Sequence, residues 1–494
     1  MMSAQTAQQE APAQPSFLAT RQGKLTLAFL CMVGFLDFVD ASIVNVALPT
    51  IRHDLHFSVQ NLQWVLSGYL LTYGGFMLLG GRAADLLGRR RILVSGMVVF
   101  ALSSLAGGLA TDATMLIGAR LVQGLGAAMM LPATLSILTT TFHEGKDRNT
   151  ALGAWGAIAG LASAVGVFLG GLLTEDVGWR WVLWVNLPVC AILLVATFRV
   201  VSGDRPVGRV RHFDALGAVL VTGGMLLLIF TLVKAPTVGW ASTRTVAGLS
   251  VAVLLQLLFV LNERRSANPL VPLSIFRIKG LAAADATQVI AMAGFYSMFF
   301  FITLYMQNVL GFSQLQAGTA YLPVTAGVVI SSGIASQLFG RLGTRPIIVA
   351  GALISAGAVF WLSRIPVDGS YLADLLPGLA IMSFGLGFVF VGVNTAANAG
   401  VPSDKAGLAA ALVNTSTWLG GALGLAIFSV IATTRTQHLL SAHANQPYAL
   451  TSGFRDALVA CSIFLAAAAL IALRATNTRG ETAATDAAPA LEAA

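Results

Sequence analysis

Charged residues are scarce in this sequence. Of its 494 residues only 10% are Asp, Glu, Lys or Arg, whereas 56% are hydrophobic. Soluble proteins average about 25% charged residues. A chain of this length could bury a large core in water, but it has too few charges to cover one. The composition therefore predicts an all-α polytopic membrane protein whose surroundings are the lipid bilayer.

Features of other protein classes are missing as well. The three cysteines, Cys31, Cys190 and Cys461, lie in apolar runs and suggest no disulfide framework. No Gly-x-x-x-x-Gly-Lys-Ser/Thr loop occurs, so ATP is not the expected energy source. The net charge of +8 lies in short loops between apolar runs, which argues against a nucleic-acid partner. We expect a protein that is not an enzyme and uses no metal or cofactor.

Apolar runs long enough to cross a bilayer occur fourteen times, because a span needs about 20 apolar residues. They lie near 25–48, 62–80, 92–110, 113–142, 150–174, 180–200, 214–234, 245–262, 281–310, 315–339, 346–363, 376–399, 406–433 and 453–473. With the N-terminus in the cytoplasm, 21 of the 29 basic residues fall on the cytoplasmic side and 7 on the far side. This bias predicts a multi-pass protein of the inner membrane with both termini cytoplasmic.

A short basic turn separates the second and third spans. It reads Gly-Arg-Ala-Ala-Asp-Leu-Leu-Gly-Arg-Arg-Arg from Gly81 to Arg91, with Asp85, Gly88, Arg89 and Arg90 at its centre. A plain basic anchor is one interpretation. The spacing of glycine, aspartate and arginine instead resembles the signature loop of the major facilitator superfamily. A related string, Gly-Arg-Leu-Gly-Thr-Arg from Gly340 to Arg345, follows span 10 without an equivalent of Asp85.

The repeat and the resemblance together imply two six-span halves with a substrate site between them near the bilayer midplane. The expected organisation is a disordered tail at 1–20, an N-terminal bundle at 21–200, an inserted two-helix hairpin at 201–279, a C-terminal bundle at 280–474 and a disordered tail at 475–494.

Two carboxylates lie inside the first span. Asp37 and Asp40 are three residues apart and share a helix face. A charge inside a span costs about 2.5–3.5 kcal/mol on insertion scales, so both should face the protein interior or water. Arg120 in span 4 lies about 10 Å below the outer boundary and Asp40 about 12 Å below it, at 1.5 Å per residue. An Asp40–Arg120 pair is therefore predicted, with Asp37 deeper and near the substrate.

Longer motifs resemble the fourteen-span drug:proton antiporters of the superfamily. Asp40 stands nine residues before Pro49, and Arg120 opens the string Arg-x-x-Gln-Gly-x-Gly-Ala-Ala. The resemblance implies proton-coupled efflux of small lipophilic drugs or toxic metabolites by alternating access. We expect Asp40 to carry the proton, Arg120 to set its affinity and Asp37 to contact substrate. The alternative for the charge pair is a purely structural role that holds two helices together.

The resemblance also implies where the protein opens and closes. Gly166, Gly170 and Gly171 fit the glycine motif that the family has in span 5, but Val167 stands where a proline is usual. Because that motif is associated with antiport, a facilitator or symporter of the same fold is an alternative. The turn residues Gly81, Asp85, Gly88, Arg89 and Arg90 are the other expected gating residues. Asp85 is expected to latch onto the helix start at 403–407. A dedicated exporter of one endogenous metabolite or antibiotic and a non-transporting membrane sensor are further alternatives.

The predicted substrate cavity is lined by polar and aromatic residues inside spans. Besides Asp37 these are Tyr69, Tyr73, Gln288, Tyr296, Gln307, Asn394, Asn398, Asn414 and Trp418. Spans 10 to 13 contain no acidic residue, so a neutral or monocationic substrate is expected. Asp285 lies just inside span 9, near Arg277 and Lys279, and an interfacial ion pair is its predicted role.

The predicted topology can be tested with fusions of a reporter that is active only in the periplasm. The reporter should be inactive at the C-terminus and active after Gln446, because the last span separates these two positions. Activity at the C-terminus, or its absence after Gln446, would contradict fourteen spans with cytoplasmic ends.

Overall fold

A computed structural model of the chain describes residues 17–142, 146–201, 214–266, 269–401 and 406–479. Within these ranges every regular element is a helix. This agrees with the composition, because a chain in lipid must satisfy its backbone hydrogen bonds internally, which a helix achieves within one segment.

The helices follow the predicted apolar runs. Those of the first half, called the N-terminal half below, are α1 (Arg21–Asp54), α2 (Val59–Leu62), α3 (Trp64–Leu87), α4 (Arg89–Gly108), α5 (Ala113–Thr141), α6 (Lys146–Asp176), α7 (Arg180–Trp184) and α8 (Asn186–Val200). Two further helices are α9 (Ala215–Val238) and α10 (Thr243–Arg265). Those of the C-terminal half are α11 (Leu281–Asn308), α12 (Gln314–Thr319), α13 (Leu322–Leu342), α14 (Thr344–Leu362), α15 (Leu376–Asn398), α16 (Ala406–Ser441) and α17 (Gln446–Ala472). Short 3₁₀ turns at Phe17–Ala19 and Leu273–Arg277 and a π turn at Tyr371–Leu375 complete the described elements.

Twelve of the helical segments among the described residues are long and apolar enough to cross a membrane. Their outer faces carry large apolar side chains in contact with the surroundings. In α10, Val253, Leu257 and Leu261 are each about half exposed. Such a continuous apolar exterior suits lipid rather than water. The chain is therefore a multi-pass membrane protein.

Each half is built by packing among its own helices. In the N-terminal half α5 packs against α3 and α4, and α1 packs against α6. In the C-terminal half α11 packs against α16 and α17, and α15 packs against α13 and α14. The helices α9 and α10 pack against each other, and α9 also contacts α3 and α16. Its Thr222 hydroxyl donates to the Gly75 carbonyl of α3 at 3.1 Å.

Hydrogen bonds join the two halves at the end where α1, α6 and α11 finish. The Asn45 amide donates to the Thr303 hydroxyl at 3.2 Å, and the Gln307 amide donates to the Val46 carbonyl at 3.0 Å. Glu175 at the end of α6 accepts from the backbone N–H of Leu315 in α12 at 3.1 Å. This end of the space between the halves is therefore closed.

The basic turn between the second and third spans is shorter than predicted. The apolar run ends at Gly80, but α3 continues through the motif to Leu87, and α4 begins at Arg89. The whole turn is Gly88, whose φ of 102° suits glycine. In the C-terminal half, α13 ends at Leu342 and α14 begins at Thr344, with Gly343 between them at φ 84°. The same one-glycine turn at the two matched positions supports the internal repeat.

Some predictions fall on residues outside those described. Residues 402–405 and the side chain of Asp85 are not described, so the latch between Asp85 and 403–407 stays a prediction. Most of the two predicted tails, residues 1–16 and 480–494, also lies outside the described residues. Residues 475–479, which the sequence assigned to a tail, make contacts: the Thr344 hydroxyl donates to the Thr476 carbonyl at 2.8 Å, and the Arg345 guanidinium donates to the Ala475 carbonyl at 2.8 Å.

Two glycines of α5 provide a matched test of this packing. A Cβ at Gly126 would lie 2.7 Å from the Phe100 backbone nitrogen of α4, whereas a Cβ at Gly118 would meet nothing within 4 Å. Gly126→Ala should lower stability by about 1–3 kcal/mol, the usual cost of overpacking. Gly118→Ala should raise it by up to about 1 kcal/mol through helix propensity. Thermal unfolding in detergent measures both, and equal Tm values would show that α4 and α5 are not in such close contact.

Candidate functional site

A buried ion pair lies at the centre of the N-terminal half. Asp40 of α1 and Arg120 of α5 are both fully buried, and the Asp40 Oδ2 to Arg120 Nη1 distance is 2.7 Å. The pair predicted from the matching depths is therefore confirmed. The other carboxylate oxygen, Oδ1, accepts from the Gln123 amide at 2.8 Å and from the Asn186 amide at 2.6 Å. Three donors, one of them charged, therefore surround the carboxylate of Asp40.

The guanidinium of Arg120 is held by several groups. Its Nε donates to the Val65 carbonyl of α3 at 3.1 Å, and its Nη1 also donates to Gln123 Oε1 at 2.7 Å. Its carbon lies 4.1 Å from the centre of the Tyr69 ring, a cation–π contact. These contacts offset much of the cost of removing both charges from water.

The Ser104 hydroxyl of α4 completes this network. It accepts from the Gln123 amide at 3.3 Å and from the Asn186 amide at 3.0 Å, and it donates to the Leu183 carbonyl. Gln123 and Asn186 were not among the predicted site residues. The available signal was the spacing of Gln123, which follows Arg120 by three residues and so shares its helix face.

Asp37 lies one helical turn from Asp40 in different surroundings. Its side chain is 1% exposed and accepts from the Tyr69 hydroxyl at 3.1 Å and from the Tyr73 hydroxyl. No cation pairs with it among the residues that the structure describes. Neutral donors stabilise a carboxylate less strongly than a guanidinium does, so the surroundings of the two aspartates differ.

A cavity of about 270 Å³ lies between the two halves. Its walls are mainly apolar and aromatic, and no charged side chain lines it in the described part of the chain. The N-terminal half contributes Phe38 and Tyr69, and the C-terminal half contributes Tyr296, Phe299 and Trp418. Such a cavity suits a small molecule with ring systems and few charges.

Trp418 connects the cavity to Asp37. Its ring stacks on Tyr73 with 4.3 Å between centroids and 21° between planes, and it also contacts Tyr296. The indole Nε1 of Trp418 is buried and has no hydrogen-bond partner among the described residues, and the same holds for Oδ1 of Asn45, which also lines the cavity. Two residues of the cavity wall therefore each carry a buried polar atom without a hydrogen-bond partner in the described part of the chain.

Comparison with known proteins identifies the fold and family. The sequence pattern of the Major Facilitator Superfamily matches residues 30–425.

The chain belongs to the major facilitator superfamily.

Three related proteins are named for resistance to, or export of, particular compounds. The puromycin resistance protein pur8 of Streptomyces alboniger is 37% identical over 430 residues, which cover 86% of this chain and 85% of that protein. The cephamycin export protein CmcT of Amycolatopsis lactamdurans is 37% identical over 456 residues, which cover 92% of each. The tetracenomycin C resistance and export protein of Streptomyces glaucescens is 33% identical over 437 residues, covering 88% of this chain and 79% of that protein.

Solved structures of other transporters and transporter homologues share the fold. An inward-facing bacterial homologue of the human lysosomal transporter Spinster superposes with a TM-score of 0.66 at 16% identity, covering 92% of this chain and 97% of that one. The xylose transporter XylE of E. coli, in an inward-open conformation, gives 0.62 at 14% identity, covering 95% and 99%. At these identities the likeness shows the fold alone.

Four of the residues predicted to bind substrate line the cavity: Tyr69, Tyr296, Asn414 and Trp418. The others lie outside its wall. Tyr73 lies behind it, between Asp37 and Trp418. Gln288 donates to the Thr417 hydroxyl at 2.8 Å, and Thr417 is a lining residue. Sequence reasoning missed the apolar aromatic residues of the wall, because Phe38, Phe295, Phe299 and Phe390 look like ordinary core residues in an apolar span.

Three amides predicted as cavity residues have other partners. Gln307 belongs to the contacts between the halves at the closed end. The Asn394 amide donates to the Phe390 carbonyl and the Asn398 amide to the Asn394 carbonyl, both within α15. Each of these two amides donates to a carbonyl of the preceding turn of its own helix, so its hydrogen bond does not require the cavity. The spacing of four residues between Asn394 and Asn398 showed a shared face but could not reveal these bonds.

The glycine motif of α6 contacts two different partners. A Cβ added at Gly166 would collide with Ser42 of α1. A Cβ added at Gly170 would lie 2.5 Å from the carbonyl oxygen of Ile43, which is also in α1. A Cβ at Gly171 would instead lie 2.7 Å from Leu315 Cα of the C-terminal half. The Val167 carbonyl lies against Gly318. The motif therefore packs α6 inside its own half and across to the other half.

The remaining predicted gating residues lie around the Gly88 turn. The Arg90 guanidinium donates to the Val201 carbonyl at 3.3 Å and covers the Phe198 ring at 4.7 Å, which ties α4 to the end of α8. Arg89 begins α4, and Gly81 lies inside α3, where an added Cβ would lie 3.4 Å from Pro132 of α5.

The prediction for Asp285 is wrong. It is 8% exposed, and neither carboxyl oxygen has a hydrogen-bond partner among the described residues. Arg277 and Lys279, the expected partners, are exposed. The side chain lies on the buried face of α11, one turn inside the helix, so it is directed away from the membrane surface.

The two aspartates of α1 should differ in their effect on stability. Asp40→Asn leaves Arg120 as a buried, uncompensated charge and should cost about 3–5 kcal/mol. Asp37→Asn removes only bonds to neutral hydroxyls and should cost about 1 kcal/mol. Thermal unfolding of the purified variants in detergent compares them directly. A Tm loss for Asp37→Asn as large as that for Asp40→Asn would contradict this difference in surroundings.

Proposed function

We propose that the chain is a proton-coupled exporter of small lipophilic molecules across the cytoplasmic membrane. One observation supports this proposal above all: the aromatic cavity between the halves is linked to a carboxylate, because the hydroxyl of the lining residue Tyr69 donates to Asp37. A proton-binding group and a ligand-binding space that share one side chain can influence each other. The names of the relatives, which concern antibiotic resistance and export, support efflux rather than uptake.

We propose a fourteen-span topology of the drug:proton antiporter type, with both termini in the cytoplasm. The helices of the N-terminal half supply six spans and those of the C-terminal half another six. The helices α9 and α10 form the inserted hairpin between residues 201 and 279, which agrees with their packing against each other. The closed end, where α1 and α11 finish, then faces the periplasm.

The expected substrates are neutral or monocationic and aromatic. Ring stacking on Trp418 and Tyr296 supplies contact area, and the free Trp418 N–H can donate to an acceptor of the ligand. The carboxylate of Asp37 is linked to the cavity through the hydroxyl of Tyr69. A second positive charge on the substrate would have no acidic partner in the cavity wall.

The contacts favour Asp37 over Asp40 as the group that exchanges the proton. The sequence suggested Asp40 for this role. Asp40 accepts from a guanidinium and two amides, and protonating it would leave the Arg120 charge uncompensated. Asp37 accepts from two tyrosine hydroxyls, and a neutral Asp37 leaves no charge behind. In this scheme Asp40 and Arg120 hold α1 and α5 in place while Asp37 titrates.

Coupling follows from the residues that Asp37 touches. Tyr73 bonds to Asp37 and stacks on Trp418 of the other half. Protonation turns one Asp37 oxygen into a donor, so the hydrogen bonds of Tyr69 and Tyr73 must rearrange. The change reaches the cavity wall through Tyr69 and the contact between the halves through Tyr73. Proton binding and substrate binding then favour different arrangements of the two halves, which is the requirement for exchange.

A dedicated exporter of one antibiotic or metabolite is the second candidate. It is favoured by the three relatives described above, each of which carries the name of one compound or compound class, whereas a further relative, of 36% identity, is named as a multidrug resistance protein. A facilitator or symporter of the same fold is the third, since Val167 replaces the usual proline of the motif and lines the cavity. The transport experiment separates these candidates, because a dedicated exporter should move neither dye, a facilitator should move ethidium without a gradient, and a symporter should move ethidium in the direction of the protons.

Transport can be measured with the full chain in liposomes and two matched dyes, the monocation ethidium and its dicationic analogue propidium. With a proton gradient directed as in the cell, ethidium should be expelled from the cytoplasmic side, and a protonophore should stop the movement. Propidium should move more slowly. Asp37→Asn should reduce gradient-driven ethidium transport to the rate of empty liposomes while leaving ethidium binding in place.

The exposed Asp456, which pairs with Arg435 at the surface, provides the matched control, because Asp456→Asn removes a carboxylate far from the cavity. That variant should transport as the unchanged protein does. Gradient-independent movement would favour a facilitator, and faster transport of propidium than of ethidium would contradict the proposed substrate class. Gradient-driven export by stable Asp37→Asn protein would remove Asp37 from the coupling step.

A further inference from the structure

Asp285 is a buried carboxyl that the proposed mechanism does not use. It lies in α11, four residues after the helix begins at Leu281 and therefore about 6 Å along the axis from that end. The residue is 8% exposed, and both carboxyl oxygens lack a hydrogen-bond partner within the described ranges. A group without a donor or a counter-ion is a poor site for a negative charge in lipid-buried protein.

The helix face of Asp285 leads to the cavity. Residues seven, eleven and fourteen positions further along α11 fall on the same face at 3.6 residues per turn. These are Met292, Tyr296 and Phe299, and all three line the cavity. Asp285 thus lies about 10 Å from Met292 along the helix, on the cytoplasmic side of the cavity in the proposed topology.

The helices around Asp285 offer no charge to balance it. The described part of α16 from Ala406 to Thr434 and all of α15 contain no charged or titratable residue. The basic residues of the neighbouring segments at this end of α11 are Arg21 and Lys24 of α1, Arg277 and Lys279 before α11, and Arg474 just after α17, and all five are exposed. Further along lie Cys31, Asp37 and Asp40 of α1 and Cys461 of α17. The groups towards the other end of α11 are Arg52, His53 and Asp54 of α1, Arg435 and His438 of α16, and Tyr448, Arg455 and Asp456 of α17. Asp404 and Lys405 precede α16 and lie outside the described residues.

A proton is the ligand that fits such a group. In the described part of the chain, no cluster of three metal-binding side chains exists. Protonation converts the carboxylate to a neutral acid and removes the cost of the buried charge. Release requires water to reach Asp285, and its position one turn from the cytoplasmic end of α11 allows this when the halves separate on that side.

We propose that Asp285 is a second proton-binding group, so that one transport cycle moves two protons inward, one on Asp37 and one on Asp285. The proposal rests on the proton-coupled export argued above and specifies its stoichiometry. On each carboxylate one O–H bond forms with a proton from the outer solution and breaks with release to the cytoplasm. For a monocationic substrate moving outward, two protons moving inward leave one net positive charge transferred, so the membrane potential drives the exchange.

The protonation state can be measured without a substrate, by infrared spectroscopy of the full chain in liposomes titrated with acid and alkali. The carbonyl stretch of protonated carboxyl groups should persist to neutral pH in the unchanged protein. Asp285→Asn should remove one component of that band, and Asp37→Asn should remove another. The control Asp368→Asn, in an exposed loop, should leave this band as it is.

Asp285→Asn replaces a neutral acid by a neutral amide of similar shape, so it should fold. Asp285→Glu provides a second variant that keeps the carboxyl, and it should shift the band component instead of removing it. A neutral-pH band that is unchanged in both Asp285 variants, while it responds to Asp37→Asn, would overturn the proposal.

The transport arm uses ethidium in liposomes with a potassium diffusion potential and no pH gradient. The unchanged protein should move ethidium in response to the potential, because the exchange transfers net charge. Asp285→Asn should keep transport driven by a pH gradient and lose the response to the potential, because one proton then exchanges for one cation. An unaltered response in Asp285→Asn protein would overturn the two-proton stoichiometry. If the unchanged protein does not move ethidium at all, the proposed export of this dye fails, and the infrared result alone decides on Asp285.

Discussion

The buried pair of Asp40 and Arg120 is the constraint on which the N-terminal half depends. Two full charges inside a membrane protein are costly unless most of their hydrogen-bonding groups find partners. Here Val65 of α3, Gln123 of α5 and Asn186 of α8 bond to the pair directly, and Ser104 of α4 bonds to Gln123 and Asn186, whereas Nη2 of Arg120 has no partner within the described ranges. Displacing any one of these helices would expose a charge to an apolar interior. The network therefore fixes their arrangement and lets this half move as one body.

A separation of three residues gives the two aspartates of α1 different chemistry. Asp40 faces a guanidinium and amides, and Asp37 faces two phenols. The first environment contains a fixed positive charge, and the second contains only neutral donors. One helix face can in this way place two carboxylates in different surroundings, because the neighbours of that face alternate along the axis between α5 and α3.

Much of this arrangement could be predicted from the sequence, because membrane insertion makes every polar residue in a span conspicuous. The Asp40–Arg120 pair followed from two depths, and the repeat followed from the glycines that become the Gly88 and Gly343 turns. The cavity wall could not be predicted equally well. Phe295 and Phe390 line it but have the same residue type as lipid-facing and core residues. Asn394 and Asn398 looked like lining residues, yet they bond to their own helix.

Asp285 shows a related limit. Its sequence neighbours Arg277 and Lys279 suggested an ion pair, but helix phase, not sequence distance, decides which way a side chain points. Asp285 lies one turn inside α11 on its buried face, whereas Arg277 and Lys279 are exposed before the helix begins.

The helix α9 lies against both α3 and α16, which belong to different halves, while its partner α10 presents most of its surface to lipid. Any rocking that separates α3 from α16 must slide or break the contacts of α9, including the bond from Thr222 to Gly75. If the halves rock as proposed, the contacts of α10 with lipid contribute to the free energy of that movement, and bilayer thickness enters the balance between the conformations.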